Sequence, residues 1–508
     1  MKEQHQMPQY PEPYWRDGID FPSFDAVNED QNVDVAIIGA GISGITTAYL
    51  LSKEGLKVGL IDAGKILNGT TGHTTAKISA QHDLIYDELI QHVGVEKAKL
   101  YYQSNDEALQ FIKQIVSEKS IDCDLSKEDA YLYSTTEQYD RKIEKEWKAY
   151  EKLGIPGETK TSIPFDAGAT SALVMKDQAQ FHPIKYLLPL VKEIEAAGGL
   201  FFENTTAVDV QNGAKPIVLT REGFRITCNY VVSCSHFPFY DSGFYFARMY
   251  AERSYVVAVE ADKEYPGGMY LSVDNPSRSL RSTPYNGGKL ILIGAENHKT
   301  GQGINTMKHY EALQDWGSKV LGIKSFPYRW STQDLVTLDK IPYIGQMSSK
   351  EENIFVATGY KKWGMTTSAV AARLITDTIL RKQNPYKELY TPSRFIADPS
   401  LKNFLIQNVD VAGHLIAGKV QTAEKKVDEL TNDEAAVVKV QGKRAGAYKD
   451  TGGNLHIVDT TCTHMGCECE WNGGDRTWDC PCHGSRYTVD GDVIEGPAEK
   501  PLTKINFN

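Results

Sequence analysis

Five of the eight cysteines in this 508-residue chain, Cys462, Cys467, Cys469, Cys480 and Cys482, fall within 21 residues near its end. The other three, Cys123, Cys228 and Cys234, are scattered. The N-terminus, MKEQHQMPQYPEPYWRDGID, is polar and proline-rich with no apolar segment of the export-signal kind. In a chain without such a signal, clustered cysteines read as a metal site before they read as a disulfide framework. No run of about 18 apolar residues occurs, so no transmembrane segment is expected and the protein is placed in the cytoplasm. A net charge of −11 without a basic patch argues against nucleic acid as a partner. The length suggests two to four domains.

The cysteines come with histidines. CTHMGC at 462–467 and CPCHGS at 480–485 give Cys462-x-His464, fifteen intervening residues, then Cys480-x-x-His483. A [2Fe–2S] cluster needs two protein ligands per iron: thiolates suit the iron that stays ferric, neutral imidazoles the one that changes charge. Zinc is the rival, since two Cys and two His also make a zinc set. Zinc fingers, however, usually pair Cys with Cys and His with His, whereas here each loop carries one of each.

These loops resemble the Rieske family over roughly the last hundred residues. The resemblance implies Cys462, His464, Cys480 and His483 as cluster ligands and a disulfide between Cys467 and Cys482. It also implies hydroxyl donors at Ser485, toward a bridging sulfide, and at Tyr487, toward a ligand cysteine. GPAEKPL at 496–502 resembles the proline loop that covers the cluster. Hydrogen bonds to sulfur raise the reduction potential, so the expected cluster lies at the upper end of the Rieske range. Cys469 matches nothing in the family pattern and reads as a bystander thiol.

At the other end, Asn32 to Asp62 reads as a βαβ unit around GAGISG, residues 39–44. Gly39 suits the tight turn, Gly41 close approach of a pyrophosphate, and Gly44 helix–strand packing. Asp62 ends the next strand, placed to accept from an adenosine ribose. Farther on, WSTQDLVTLDKIPYIG and NIFVATGYKKWGMTTSAVAARLITD resemble the closing FAD segment of D-amino-acid-oxidase-like flavoproteins. That resemblance spans roughly residues 33 to 385. It implies FAD contacts at Gly359, Trp363, Gly364, Met365 and Thr366, with the helix N-terminus facing the isoalloxazine. It also implies a contact of the Val208 backbone with the adenine. The loop GTTGHTTAK, with Thr71 and His73, is similar to the family loop beside the dimethylbenzene edge. There His73 resembles a histidine that bonds covalently to flavin in dimethylglycine dehydrogenase.

The expected fold is an α/β FAD-binding (Rossmann-like) domain with an antiparallel-sheet substrate domain, plus a small all-β C-terminal Rieske domain. Boundaries are expected at 1–32 for an N-terminal extension, 33–385 for the flavoprotein, 386–410 for a linker and 411–508 for the Rieske domain. The sheet from about 245 to 300 should face substrate, with Tyr255, Tyr270, Arg278, Arg281, Tyr285 and His298 as its polar inventory. Arg281 is the first choice to hold a substrate carboxylate. No catalytic base is named, because amine oxidation in this class removes hydride from the C–H beside nitrogen. The expected function is oxidation of a small amine or amino-acid-like substrate, with electrons passing from FAD to the cluster and on to an external one-electron acceptor, protein or quinone.

Overall fold

The structure, a computed structural model, describes residues 7–303, 305–420, 425–440 and 442–506. Strand Val35–Ile38 is apolar and buried throughout, which a strand must be when helices cover both faces of its sheet. It lies inside a six-stranded sheet ordered Tyr343–Gln346, Ile354–Thr358, Tyr230–Ser233, Val35–Ile38, Val58–Ile61, Leu200–Phe202. All pairs are parallel except the first, which is antiparallel. Helix Ile42–Lys53 packs on helix Gly364–Ile379, bringing the two FAD-like motifs together across more than 300 residues of sequence.

A second, nine-stranded sheet is built mainly from long antiparallel strands, among them Met249–Ala261, Gly288–Lys299 and Ile323–Thr337. One neighbour pair, Met269–Ser272 with Ser126–Ser134, is parallel. The C-terminal domain is all-β: a three-stranded sheet from Glu434 to Val458 and a four-stranded sheet from Glu470 to Glu495.

Two segments differ from the expected boundaries. Within the described part of the N-terminal extension, Trp15 is fully buried and its Nε1 donates to the Thr74 carbonyl at 2.6 Å. Gln31–Asn32 pairs with Ile226–Thr227. This stretch is therefore packed into the fold. The expected linker is also structured: Lys387–Tyr390 is helical, Arg394 pairs with both Asp339 oxygens at 2.8 Å, and helix Ala397–Val420 runs across the boundary at 410. Prolines that read as breakers misled here, since Pro399 lies in the first turn, where a missing N–H costs nothing. The helix turns its polar side chains inward. Asn403 donates to the Leu338 carbonyl, and Asp410 accepts from Lys299 and Gln302. Leu401, Leu405, Ile406 and Val409 face outward, exposed.

The Rieske-type domain docks on the long-strand sheet through close backbone contacts. A Cβ on Gly484 would stand 2.4 Å from Ala251 Cβ, and one on Gly301 would stand 2.5 Å from Pro481 N. Gly301 also has φ +71°, which a β-branched residue resists. Gly301→Val is expected to cost about 1–3 kcal/mol of docking through overpacking. Thermal unfolding followed at the cluster's visible absorbance should then begin at lower temperature, with the flavin still bound.

Candidate functional site

Between the two domains lies a cavity of about 950 Å³, at the upper end of the roughly 300–1,000 Å³ of ligand pockets. Gly39 and Gly41 line it, as do Asp62, Thr71, His73, Gly359, Trp363, Gly364 and Met365. Gly39 has φ +100°, and a Cβ there would meet the Cys234 carbonyl at 2.5 Å; one on Gly44 would stand 1.9 Å from Gly39 O. No residue but glycine fits either position. Asp62 accepts from Ala40 N and Gly64 N, both at 2.9 Å, so its carboxylate holds the turn and keeps lone pairs for ribose hydroxyls. Burial raises its pKa and those two bonds counter the rise. Thr71 Oγ1 accepts from Ile42 N at 3.0 Å, fixing the helix entry.

Two of the expected cofactor contacts, Val208 and Thr366, are not on the cavity wall. Thr205, Thr206 and Ala207 line it just before Val208, whose expected contact is through its backbone. Thr366 is buried behind the wall, its hydroxyl between Ser79 O at 3.1 Å and His82 Nε2 at 3.2 Å. His82 in turn stacks on Trp363, centroids 4.7 Å apart. Three buried polar atoms on the cavity wall, His236 Nε2, Thr332 Oγ1 and Trp363 Nε1, have no partner in the protein. Buried polar groups are normally satisfied, so the cavity is suited to a ligand rich in hydrogen-bonding atoms. The residues present fit FAD.

On the substrate side, Tyr255 and Tyr270 line the cavity, while Arg278, Arg281, Tyr285 and His298 do not. Arg281 is occupied. Its guanidinium donates to the carbonyls of Thr75, Ala76, Phe181 and Ser282, and its residue is 1% exposed. It ties strands together and has no fork left for a carboxylate. Arg278 pairs with Glu296 at 2.7 Å. A cation that the sequence did not single out is on the wall: Lys77, donating to Tyr270 O at 2.8 Å and Ser279 Oγ at 2.7 Å. Burial first, then the charge of Arg281, push its pKa down to about 7. Nothing in the alternating run AKIS marks that lysine as part of a cavity wall.

The cluster end is equally ordered. Cys462 Sγ and Cys480 Sγ lie within 4.8 Å of each other, and the rings of His464 and His483 are 5.0 Å apart. His483 Nδ1 is buried without a partner, the atom an iron would take. Cys467 and Cys482 form a disulfide. Tyr487 Oη accepts from Thr463 N and lies 3.2 Å from both Cys462 Sγ and Thr463 Oγ1, so the ligand sulfur is one of two acceptors for its proton. Ser485 Oγ accepts from Ala498 N at 3.0 Å, so its proton is free. These residues fit a [2Fe–2S] cluster. Cys469 is present here as well, within 4.8 Å of both ligand sulfurs.

One loop connects the two centres. Residues 492–499 line the cavity, while Ala498 N holds Ser485 beside the cluster ligands. Strand Met249–Ala261 also serves both, lining the cavity at Arg253–Val256 and touching Gly484 of the cluster loop at Ala251. Arg253 anchors the joint: Nε is 2.9 Å from Asp475 and Nη1 3.5 Å from Glu495, and Arg486 reaches both carboxylates. Burial would raise the Glu495 carboxyl, but the charges of Arg486 and Arg253 outweigh it and hold its pKa down to about 2, from 4.5. Asp475 is lowered by the same pair of arginines against its own burial. A depressed carboxyl contributes stability above its unfolded pKa and loses it as pH falls through its folded one. The contribution of this network to the folded state is therefore expected to be full above about pH 4.5 and to be lost toward pH 2. Thermal unfolding followed at the cluster's visible absorbance should shift to lower temperature down that range.

A dinucleotide cradle joined to a two-Cys, two-His centre defines an iron–sulfur flavoprotein. Residues 34–378 match the family model "FAD dependent oxidoreductase" and residues 421–506 the model "Rieske [2Fe-2S] domain". The chain belongs to the FAD-dependent oxidoreductase family, carries a C-terminal Rieske domain, and uses FAD and a [2Fe–2S] cluster. It is 52% identical over its whole length to a Bacillus subtilis (strain 168) protein named as a Rieske 2Fe-2S iron-sulfur protein, YhfW, which is covered in full. It is 23% identical to the gamma-glutamylputrescine oxidoreductase of Escherichia coli (strain K12), over 71% of this chain and 86% of that one. Among solved structures, glycine oxidase from Geobacillus kaustophilus matches with TM-score 0.61 and 19% identity, over 72% of this chain and all of that one. No helix among the described residues is long and apolar enough to cross a membrane.

Proposed function

We propose that the protein is a cytoplasmic dehydrogenase that oxidises a small amine or amino-acid-like substrate and passes the electrons from FAD to the Rieske cluster and on to an external one-electron acceptor, protein or quinone. The observation that carries this reading is the shared wall: the loop holding Ser485 and the strand touching Gly484 both face the FAD cavity. Bound FAD supplies two-electron oxidation of the substrate, and the bound cluster supplies one-electron outflow. Tyr255, Tyr270 and Lys77 form the substrate-facing surface. Relatives that act on amines, such as the gamma-glutamylputrescine oxidoreductase, favour that substrate class. The outlet is the other end of the cluster, where Met465, next to His464, is 50% exposed. Phe246 packs on both cluster histidines, and its neighbour Phe244 is also exposed.

Screening amines and amino acids for anaerobic flavin bleaching tests the proposal. At least one small amine should bleach the flavin; bleaching by none of them, with bleaching by another substrate class, would overturn it. His73 bears on how the flavin is held. Its Nδ1 donates to Gly69 O at 2.9 Å, which leaves Nε2 with the lone pair on the cavity side. Acid precipitation decides its role: yellow colour in the pellet, released by His73→Ala, makes Nε2 the covalent attachment point. Colour in the supernatant makes it a hydrogen-bond partner only.

A further inference from the structure

Cys469 is 0% exposed, held by its backbone N–H to Thr460 O at 2.8 Å, with its sulfur within 4.8 Å of the sulfurs of both cluster ligands. Three buried sulfurs within 4.8 Å of one another are more than the two that the sulfur-ligated iron requires. The third has three possible roles, and the geometry separates them. Exchange with the disulfide would need Cys469 beside Cys467 and Cys482. Those two group with Cys480 instead, and Cys469 is outside that group. Service as a ligand would displace a histidine or one of the two loop cysteines, yet each cluster loop already supplies one Cys and one His, His464 and His483 face each other at 5.0 Å, and His483 Nδ1 has no other partner. What remains is the thiol proton. Cluster-bound thiolates are strong hydrogen-bond acceptors, and all three sulfurs are buried together.

We propose that Cys469 is a positioning and tuning residue whose S–H donates a hydrogen bond to the ligand sulfurs of Cys462 and Cys480, raising the potential of the cluster. Hydrogen bonds to sulfur stabilise the more negative reduced cluster, so each one moves the potential upward. Cys469 thus adds a donor to those of Tyr487 and Ser485. Cluster binding suffices for this inference, which does not depend on which way the electrons run.

The test is a redox titration of the full-length holoenzyme, followed by EPR or visible circular dichroism, comparing wild type with Cys469→Val, Cys469→Ala and Cys469→Ser. Val and Ala remove the donor while keeping an apolar filling, and both should lower the midpoint potential with the Rieske signal intact. Ser restores a donor and should return the potential toward wild type. Two apolar variants of different size keep the comparison available if one of them fails to fold. Wild-type potentials in Val or Ala would overturn the proposal, and so would an equal shift in all three variants, which is the mark of packing. Loss or replacement of the Rieske signal in every variant would make Cys469 a ligand and overturn it too.

Discussion

His483→Ala is expected to remove the cluster entirely: iron falls from about two per chain to near zero and the rhombic EPR signal of the reduced centre disappears. Each iron of the cluster takes two protein ligands, and among the described residues the only other imidazole facing His483 in a ring contact is His464. Nothing nearby can replace the lost nitrogen. His483 is a better position for this test than Cys480, because Cys469 lies close enough to step into a vacated sulfur position. FAD should stay bound, since the glycine turn, Asp62 and the Gly364 helix belong to the other domain's core. Metal analysis together with the flavin absorbance reads both outcomes. Stoichiometric zinc in iron-replete wild-type protein would contradict the assignment of the site.

Arg253→Met is expected to uncouple the two domains. Arg253 is 2% exposed and balances Asp475 and Glu495 at the joint. Removing it leaves the carboxylates of Asp475 and Glu495 to share the single guanidinium of Arg486, at a cost of up to about 3–5 kcal/mol. That corresponds to a shift of roughly two to nearly four orders of magnitude in the docking equilibrium. Under anaerobic stopped flow, substrate should still bleach the flavin at close to the wild-type rate, while cluster reduction slows steeply. Arg253→Lys keeps the charge without the fork and should fall between. Equal slowing of both phases would show that Arg253 acts on the flavin site instead.

The parts of this molecule that are legible in the sequence are those where chemistry forces residue type and spacing together. Cys462-x-His464 and Cys480-x-x-His483 can do little else, and GAGISG followed by Asp62 carries its geometry in its glycines. What the sequence hides is contact between distant segments. Arg253 and Asp475 stand 222 residues apart, and neither carries a local mark of its partner. Arg281 has the chemistry of a carboxylate clamp, but four backbone carbonyls had already claimed it. The 386–410 stretch read as a linker because its prolines outweighed the helix that starts behind them.

The central claim, that electrons leave the flavin through the cluster, is tested most directly by the order of reduction. Anaerobic mixing of enzyme with its amine substrate should show the flavin absorbance falling first and the cluster signal appearing second, the cluster taking one of the two electrons at a time and turning over twice for each substrate oxidised once an acceptor is present. With Ser485 and Tyr487 both able to donate to sulfur, the cluster potential should lie above that of the flavin. A cluster reduced before the flavin by a physiological donor, or a measured cluster potential well below the flavin's, would contradict the account.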